Sequence, residues 1–202
     1  MNYIVINNKK INLTDQQIDE IKESLGIPSV KLSSIPVGET FKIGECEFIV
    51  LEHRGDTTAV ILKDLLFDNE KFGDKNNNYA DSIVDRACEE FADGLSGIIG
   101  AKNIIEHTID LTSDDGLKDY GKIRRRAALL TTELYRRYVN ILDKYKPSKW
   151  WWLATAYSTP SHDDANWAKC VAPSGNIYGG NYDGYGGVRP FCILNSNIFV
   201  SK

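Results

Sequence analysis

The sequence predicts an α+β fold. Strand-like and helix-like segments do not alternate strictly along the chain, which disfavours a doubly wound parallel sheet. Two apolar stripes recur at helical spacing, one through Ile83, Ala87, Phe91 and Leu95, the other through Leu134, Tyr138, Ile141, Leu142 and Tyr145. Short apolar runs bounded by Gly, Asn and Asp turns account for most of the remaining order.

At the N-terminus, the runs 3–6 and 10–13 flank Asn7, Asn8 and Lys9 and read as a β-hairpin, because asparagine tolerates positive φ in a tight turn. Thr14 then reads as a helix N-cap. Gln17 completes a capping box, and Leu13 and Ile18 suit a hydrophobic staple. Ile18, Ile21 and Leu25 share one helical face, and Gly26 is a good terminator. A ββα unit over residues 1–26 is too small to be stable alone, so it is expected to pack on the main body, a partner or a second copy. Residues 27–36, with Pro28 and Pro36, read as a linker. The expected organisation is a unit over 1–36 and a larger domain over 37–202.

In the larger domain, 41–43, 46–52 and 57–62 read as strands. The near-continuous apolar run from Cys46 to Leu51 predicts a strand covered on both faces. Residues 67–79 are polar and read as a loop. Ser82 opens a helix reaching Leu95. Residues 96–122 look irregular apart from a short strand at 108–111. The basic run Lys122–Arg126 reads as a solvated or ion-paired lead-in to a strand over 127–130. Thr131 caps a helix that Pro147 stops near Tyr145. Segments 150–154, 167–172 and 188–194 read as strands, and 195–202 as a tail. In Trp150-Trp151-Trp152 the outer two rings should share one face, with core packing on at least one side. Arg189 is expected to be buried and paired.

Composition narrows the function classes. The chain has 202 residues, 42% hydrophobic and 26% charged, with net charge -4. These values suit a globular domain and argue against a general nucleic-acid binder. No apolar run approaches the roughly 20 residues that span a bilayer, so membrane insertion is not expected. The start lacks a secretory-signal layout, giving a cytoplasmic or virion-associated expectation. Cys46, Cys88, Cys170 and Cys192 form no Cys-x-x-Cys pair. A Cys170–Cys192 bridge is the weaker alternative in a reduced compartment. His53, His107 and His162 lack metal-ligand spacing, and no cofactor motif is found.

The pairing of Trp151, Trp152, Leu153 and Thr155 with Gly187, Val188, Arg189 and Pro190 resembles a domain family of bacterial and phage proteins. That family is similar to the formylglycine-generating (sulfatase-modifying) enzymes and has the C-type-lectin-like fold. Upstream, residues 128–133 and the group Asn78, Tyr79, Asp81, Ser82 and Phe91 are similar to the family's helix entries. The resemblance spans about residues 45–195. It departs at Ala154-Thr155-Ala156, where Arg-Ser-Pro is commoner, and at Phe191-Cys192, where Ala-Leu is usual. It implies a C-type-lectin-like domain with two helices and a twisted, mostly antiparallel sheet, in a phage or prophage setting. The lectins' calcium-binding Glu-Pro-Asn and Trp-Asn-Asp runs are missing. An oxidase reading would require Cys170 and Cys192 to be close together and solvent-accessible.

Two polar segments are the candidate ligand-binding surface of a non-enzymatic recognition module. One contributes Tyr157, Ser158, Ser161, His162, Asp163, Asp164 and Asn166. The other, the loop 174–187, contributes Asn176, Tyr178, Asn181, Tyr182, Asp183 and Tyr185. Tyrosine offers large contact area with few rotors to freeze, and Gly, Ser and Asn supply adaptable hydrogen bonds. The competing reading has glycines serving tight turns and tyrosines covering the core edge. The two segments should adjoin if 150–154 and 188–194 are neighbouring strands. The expected ligand is a protein or a glycan, with homo-oligomerisation through the N-terminal unit an open possibility. The composition also suits relatives whose loops are diversified by retroelements. A phage accessory factor that binds a host protein through the N-terminal unit is a further alternative.

Overall fold

A computed structural model describes residues 3–6, 9–25 and 30–202. The expected turn at Asn7-Asn8, the terminator Gly26 and the linker residues 27–29 lie outside the described residues. The N-terminal hairpin is present as β1 (Tyr3–Ile6) and β2 (Lys9–Asn12), followed by α1 (Asp15–Ser24). The capping box forms: the Gln17 amide donates to Thr14 Oγ1 at 3.2 Å, and the Thr14 amide to Gln17 Oε1 at 3.0 Å.

The rest is mixed α+β, built mostly from antiparallel sheets. A six-stranded sheet contains β4 (Thr40–Ile43), β5 (Cys46–Arg54), β6 (Thr57–Leu62) and β16 (Phe191–Asn195) in series. Both β8 (Ile104–Ile105) and β11 (Ala127–Ala128) pair with β16. A five-stranded sheet runs β14 (Ile177–Asn181), β13 (Trp167–Val171), β12 (Trp151–Ala156), β15 (Tyr185–Val188), β7 (Phe67–Lys71). Its one parallel pairing is β12 with β15. Two helices, α2 (Ile83–Ile99) and α3 (Thr132–Leu142), are N-capped by Ser82 and by Thr131, the latter as expected.

Several expectations need correction. Residues 67–71 are the edge strand β7 rather than loop. The segment 96–122 contains the end of α2, β8 and β9 (His107–Asp110), and β9 pairs with β10 (Lys122–Arg125). The 195–202 tail folds back, with β17 (Phe199–Val200) pairing β3 (Val30–Lys31). Leu32 and Ile35 are buried, so 30–36 belongs to the body and is no linker. The expected strand 188–194 is two strands in different sheets, so 150–154 neighbours β15 rather than β16. The buried stripe of α2 is centred on Val84, Cys88, Ala92 and Leu95, leaving Ile83 and Phe91 half-buried. The missed strands β7, β9 and β10 share one cause: polar strands stabilised by pairing carry little hydrophobic signal.

Alternate residues of β5 and β12 divide the core. Phe48, Val50 and Trp152 face a cluster with α2, whereas Ile49, Leu51, Trp151 and Leu153 face one with Tyr135, Tyr138 and Leu142 of α3. Trp151 and Trp152 are thus buried on opposite faces, and Trp150 remains 44% exposed. The basic run is ion-paired as expected: Arg125 grips the buried Asp85, and Arg126 binds Glu89 and Asp93.

Arg189 sits where the chain leaves one sheet for the other, and it is fully buried. Its Nε donates to the Leu62 carbonyl at 2.9 Å, and Nη2 to the carbonyls of Lys63 (2.7 Å) and Tyr145 (3.1 Å). The guanidinium lies 5.3 Å from the Trp151 ring centroid, and burial lowers its pKa to about 10. Arg189→Ala strands three carbonyls and should cost about 3 kcal/mol or more in denaturant unfolding, with Arg189→Lys recovering only part. A loss within experimental error would refute this role.

Candidate recognition surface

The far end of the five-stranded sheet gathers most of the residues singled out from sequence. Here the segment leaving β12 meets the turn between β14 and β15. Asn166 and Tyr182 continue the β13–β14 ladder, the Tyr182 amide donating to the Asn166 carbonyl at 2.8 Å. The Tyr182 carbonyl accepts from Gly73 at 3.1 Å, drawing in the loop after β7.

Asn77 ties these segments together and was not expected to matter beyond suiting a loop. It is fully buried. Its side-chain NH2 donates to the carbonyls of Ser158 (2.9 Å) and Trp167 (2.8 Å). Its Oδ1 accepts from the Tyr120 hydroxyl at 2.6 Å, and its backbone amide donates to Ala165 at 2.9 Å. The desolvation of a buried amide is offset only when its donors and acceptor are matched, as these are. Nothing in the Asn76-Asn77-Asn78 run marks the middle residue, because its partners are remote in sequence.

Two carboxylates hold the 157–166 segment from the other side. Asp115 accepts from Ser113 Oγ (2.5 Å), Ser158 Oγ (2.7 Å) and contacts His162 Nδ1 (3.0 Å). Asp119 accepts from Thr159 Oγ1 (2.7 Å) and the Ser161 amide (3.1 Å). These hydrogen bonds, Ser113 foremost, hold the Asp115 carboxyl well below the usual carboxylate range. The hub is the carboxylate and Ser158 is buried, so Ser158, His162 and Asp115 do not form a nucleophile–base pair. Asp163 takes a left-handed conformation (φ 55°) that ends the short helical turn 160–162, and Asp164 Oδ1 accepts from the Asn166 amide.

The aromatic side chains divide by strand face. Register places Trp167 opposite Asn181 and Tyr178 opposite Cys170, hence on opposite faces of the β13–β14 hairpin. On one face Tyr157 and Trp167 flank Gly179, with Lys169 Nζ 5.0 Å from the Tyr157 ring centroid. On the other, Trp150 and Tyr178 meet edge to face at 5.2 Å. Both pairs border the edge strand β14, leaving Trp167 44% and Tyr178 48% exposed. Tyr185 is exposed but lies across the sheet beside Lys71. Tyr182 is half-buried and packs on the core. Asn176 is exposed just after a turn and Asp183 within one, and Asn181 is half-buried at the end of β14.

The stretch 174–187 is therefore not one pliant loop. Residues 177–181 and 185–188 are strands, and two of the glycines there answer to the core. A Cβ on Gly180 would come within 2.6 Å of the Trp152 ring, and one on Gly186 within 2.9 Å. The indole lies beneath these backbones, with Nε1 donating to the Glu70 carbonyl at 2.9 Å. Glycine at 180 and 186 makes room for tryptophan.

The cysteines do not meet the oxidase condition. All four are free; Cys170 and Cys192 are buried, and burial raises both thiols, Cys170 to about 11. Among the described residues, no cluster of His, Cys, Asp and Glu is placed to hold a metal ion, and no helix is long and apolar enough to cross a membrane. Comparison with protein-family models, curated proteins and solved structures finds no match.

Asn77→Ala should destabilise the protein by about 2–4 kcal/mol and sharply raise hydrogen exchange across 158–167. Unchanged exchange there would dismiss the hub. Because its folded pKa is depressed, Asp115 contributes fully above its unfolded value near ~4, and the contribution fades as pH falls through the lower folded value. Protection of the Ser161, His162 and Asp163 amides, corrected for intrinsic rates, should hold down to about pH 4 and fall only below it. Asp115→Asn should lose protection already at neutral pH.

Proposed function

We propose that this protein is a non-enzymatic recognition module that engages a macromolecular ligand, a protein surface or a glycan, through the aromatic margin of the five-stranded sheet. The supporting observation is that Trp150, Tyr157, Trp167 and Tyr178 stay substantially exposed around one edge strand whose backbone is otherwise fixed. Large rings on a rigid frame bind with little loss of conformational entropy, and aromatic anchors dominate interface energetics. The polar segment 157–166 adjoins them and supplies Ser161, His162, Asp163 and Asn166 as exposed hydrogen-bonding groups.

The finer architecture proposed is C-type-lectin-like. In its favour are the pairing of β3 with β17 near the ends of the body, the two helices, and the Trp-Trp-Leu and Gly-Val-Arg-Pro segments set side by side through Trp151 and Gly187. The phage or prophage setting and loop diversification remain proposals resting on the sequence resemblance.

The test is retention of partners from cell lysates and on a glycan array by wild-type protein and by Trp167→Ala/Tyr178→Ala. The double variant should lose a retained ligand by tenfold or more, about 1.4 kcal/mol at least, with little change in Tm. Tyr182→Ala should instead lower Tm, because that ring packs on the core. Wild-type protein that retains nothing, or equal retention by the double variant, rejects the reading.

A further inference from the structure

The five-stranded sheet ends at β14 with its backbone open. The Ala172 amide donates to the Asn176 carbonyl at 2.9 Å, and the Tyr182 amide to the Asn166 carbonyl at 2.8 Å, so the even-numbered residues of this segment bond inward to β13. Antiparallel bonding alternates, which turns the backbone groups of Ile177, Gly179 and Asn181 outward. The Asn181 carbonyl is taken by the Gly184 amide at 2.8 Å. The amides of Ile177, Gly179 and Asn181 and the carbonyls of Ile177 and Gly179 have no partner among the described residues.

Two other sheet edges are guarded. At the opposite end of the same sheet, β7 carries Asp68, Glu70 and Lys71, and its register with β15 is irregular. At the end of the six-stranded sheet, Lys42 of β4 exchanges backbone bonds with Ser201 at 2.8 and 3.1 Å. Charge, irregularity and a covering segment are how proteins keep a sheet from adding strands. The β14 sequence Ile-Tyr-Gly-Gly-Asn has no charge and no proline, and its register with β13 is unbroken from Ile177 to Asn181. Gly179 is exposed, and neither it nor Gly180 has a side chain to hold off an incoming backbone.

Outward donors and acceptors that recur every second residue, about 6.8 Å apart, are the electrostatic complement of another extended backbone. A sugar ring has no such repeat. The side chains of an added strand would point alternately to the two sheet faces. On one face they would meet Tyr157 and Trp167, which flank Gly179; on the other, Trp150 and Tyr178. Rings on both faces favour uncharged, apolar side chains there. We propose that β14 captures an extended peptide segment of a partner protein, apolar at the positions beside these rings, which adds to the sheet edge as a further strand. This rests on the recognition reading for its place and narrows its ligand to a peptide backbone.

The probe is a yeast-displayed library of random nonapeptides, screened against full-length protein, with the selected peptides resynthesised. Saturable binding should slow hydrogen exchange at the amides of Ile177, Gly179 and Asn181. N-methylation of the peptide at every second residue should weaken binding about tenfold or more, and N-methylation of the intervening residues should leave it within about twofold, because only one set of amides faces β14. Gly179→Pro removes an outward amide at an edge position where proline is tolerated, and should abolish binding. Gly179→Ala keeps that amide, its Cβ meeting Trp167 and Tyr157 at 3.8–3.9 Å, and should bind as wild type does. Should Gly179→Pro fold poorly, the N-methylation pattern decides the matter from the peptide side. A library without binders, binders indifferent to both N-methylation sets, or protection of the three amides that grows with protein concentration alone, as in pairing of two copies, would each overturn strand addition. A glycan or folded protein retained equally by wild type and Gly179→Pro but lost by Trp167→Ala/Tyr178→Ala would also overturn it, and would leave the recognition reading standing. Peptides that need the Gly179 amide yet bind Trp167→Ala/Tyr178→Ala equally well would do the reverse.

Discussion

Arg189 is the constraint on which the two sheets depend. The chain must pass from β15 in one sheet to β16 in the other within two residues, and Arg189 and Pro190 occupy that step. A crossover this tight leaves the carbonyls of Leu62, Lys63 and Tyr145 converging on one buried point. A guanidinium can answer all three at once, because its donors fan out in one plane. The cost of burying the charge is offset by those hydrogen bonds and by the Trp151 face beneath it. Pro190 adds to the junction: its carbonyl accepts from Leu62 at 2.9 Å, and its missing amide leaves no donor to satisfy.

From that junction the packing proceeds outward through the two adjacent tryptophans. Trp151 fills the side shared with α3, and Trp152 the side shared with α2. Each ring imposes a demand on its neighbours: Tyr135 meets Trp151 edge to face at 5.7 Å, and Gly180 and Gly186 give way to Trp152. The strands that carry the exposed rings are thereby fixed by the core. Rigidity of the proposed recognition surface is a consequence of tryptophan packing rather than of anything at the surface itself.

The 157–166 segment is held differently. It has little apolar burial, and its order comes from polar groups: the Asn77 amide below, and Asp115 and Asp119 at its side. Such bonds specify geometry closely but are individually modest, so the segment responds to acid and to single substitutions more readily than the strands do. Its polarity is also why it was recognisable as a surface element while its attachment was not. The hydrogen-bond partners of Ser158 lie in two other parts of the chain, at Asn77 and Asp115.

The sequence by itself determined the α+β class, the helix start near Ser82 and the cap Thr131, the doubly covered strand from Cys46, the ion-paired basic run and the burial of Arg189. Each follows from local pattern or from the cost of burying a given group. Tertiary structure alone decided that 67–71 and 177–181 are strands, that 188–194 is split between sheets, and that 30–36 and the C-terminal residues close on one another. It also decided which glycines make room for Trp152, and that Asn77 is a hub whereas Asn76 and Asn78 are not. Except for 177–181, which pairs with the adjacent β13 but carries too little apolar signal to read as a strand, the deciding partner is distant along the chain, and neither periodicity nor propensity carries information about a neighbour that only folding brings into contact.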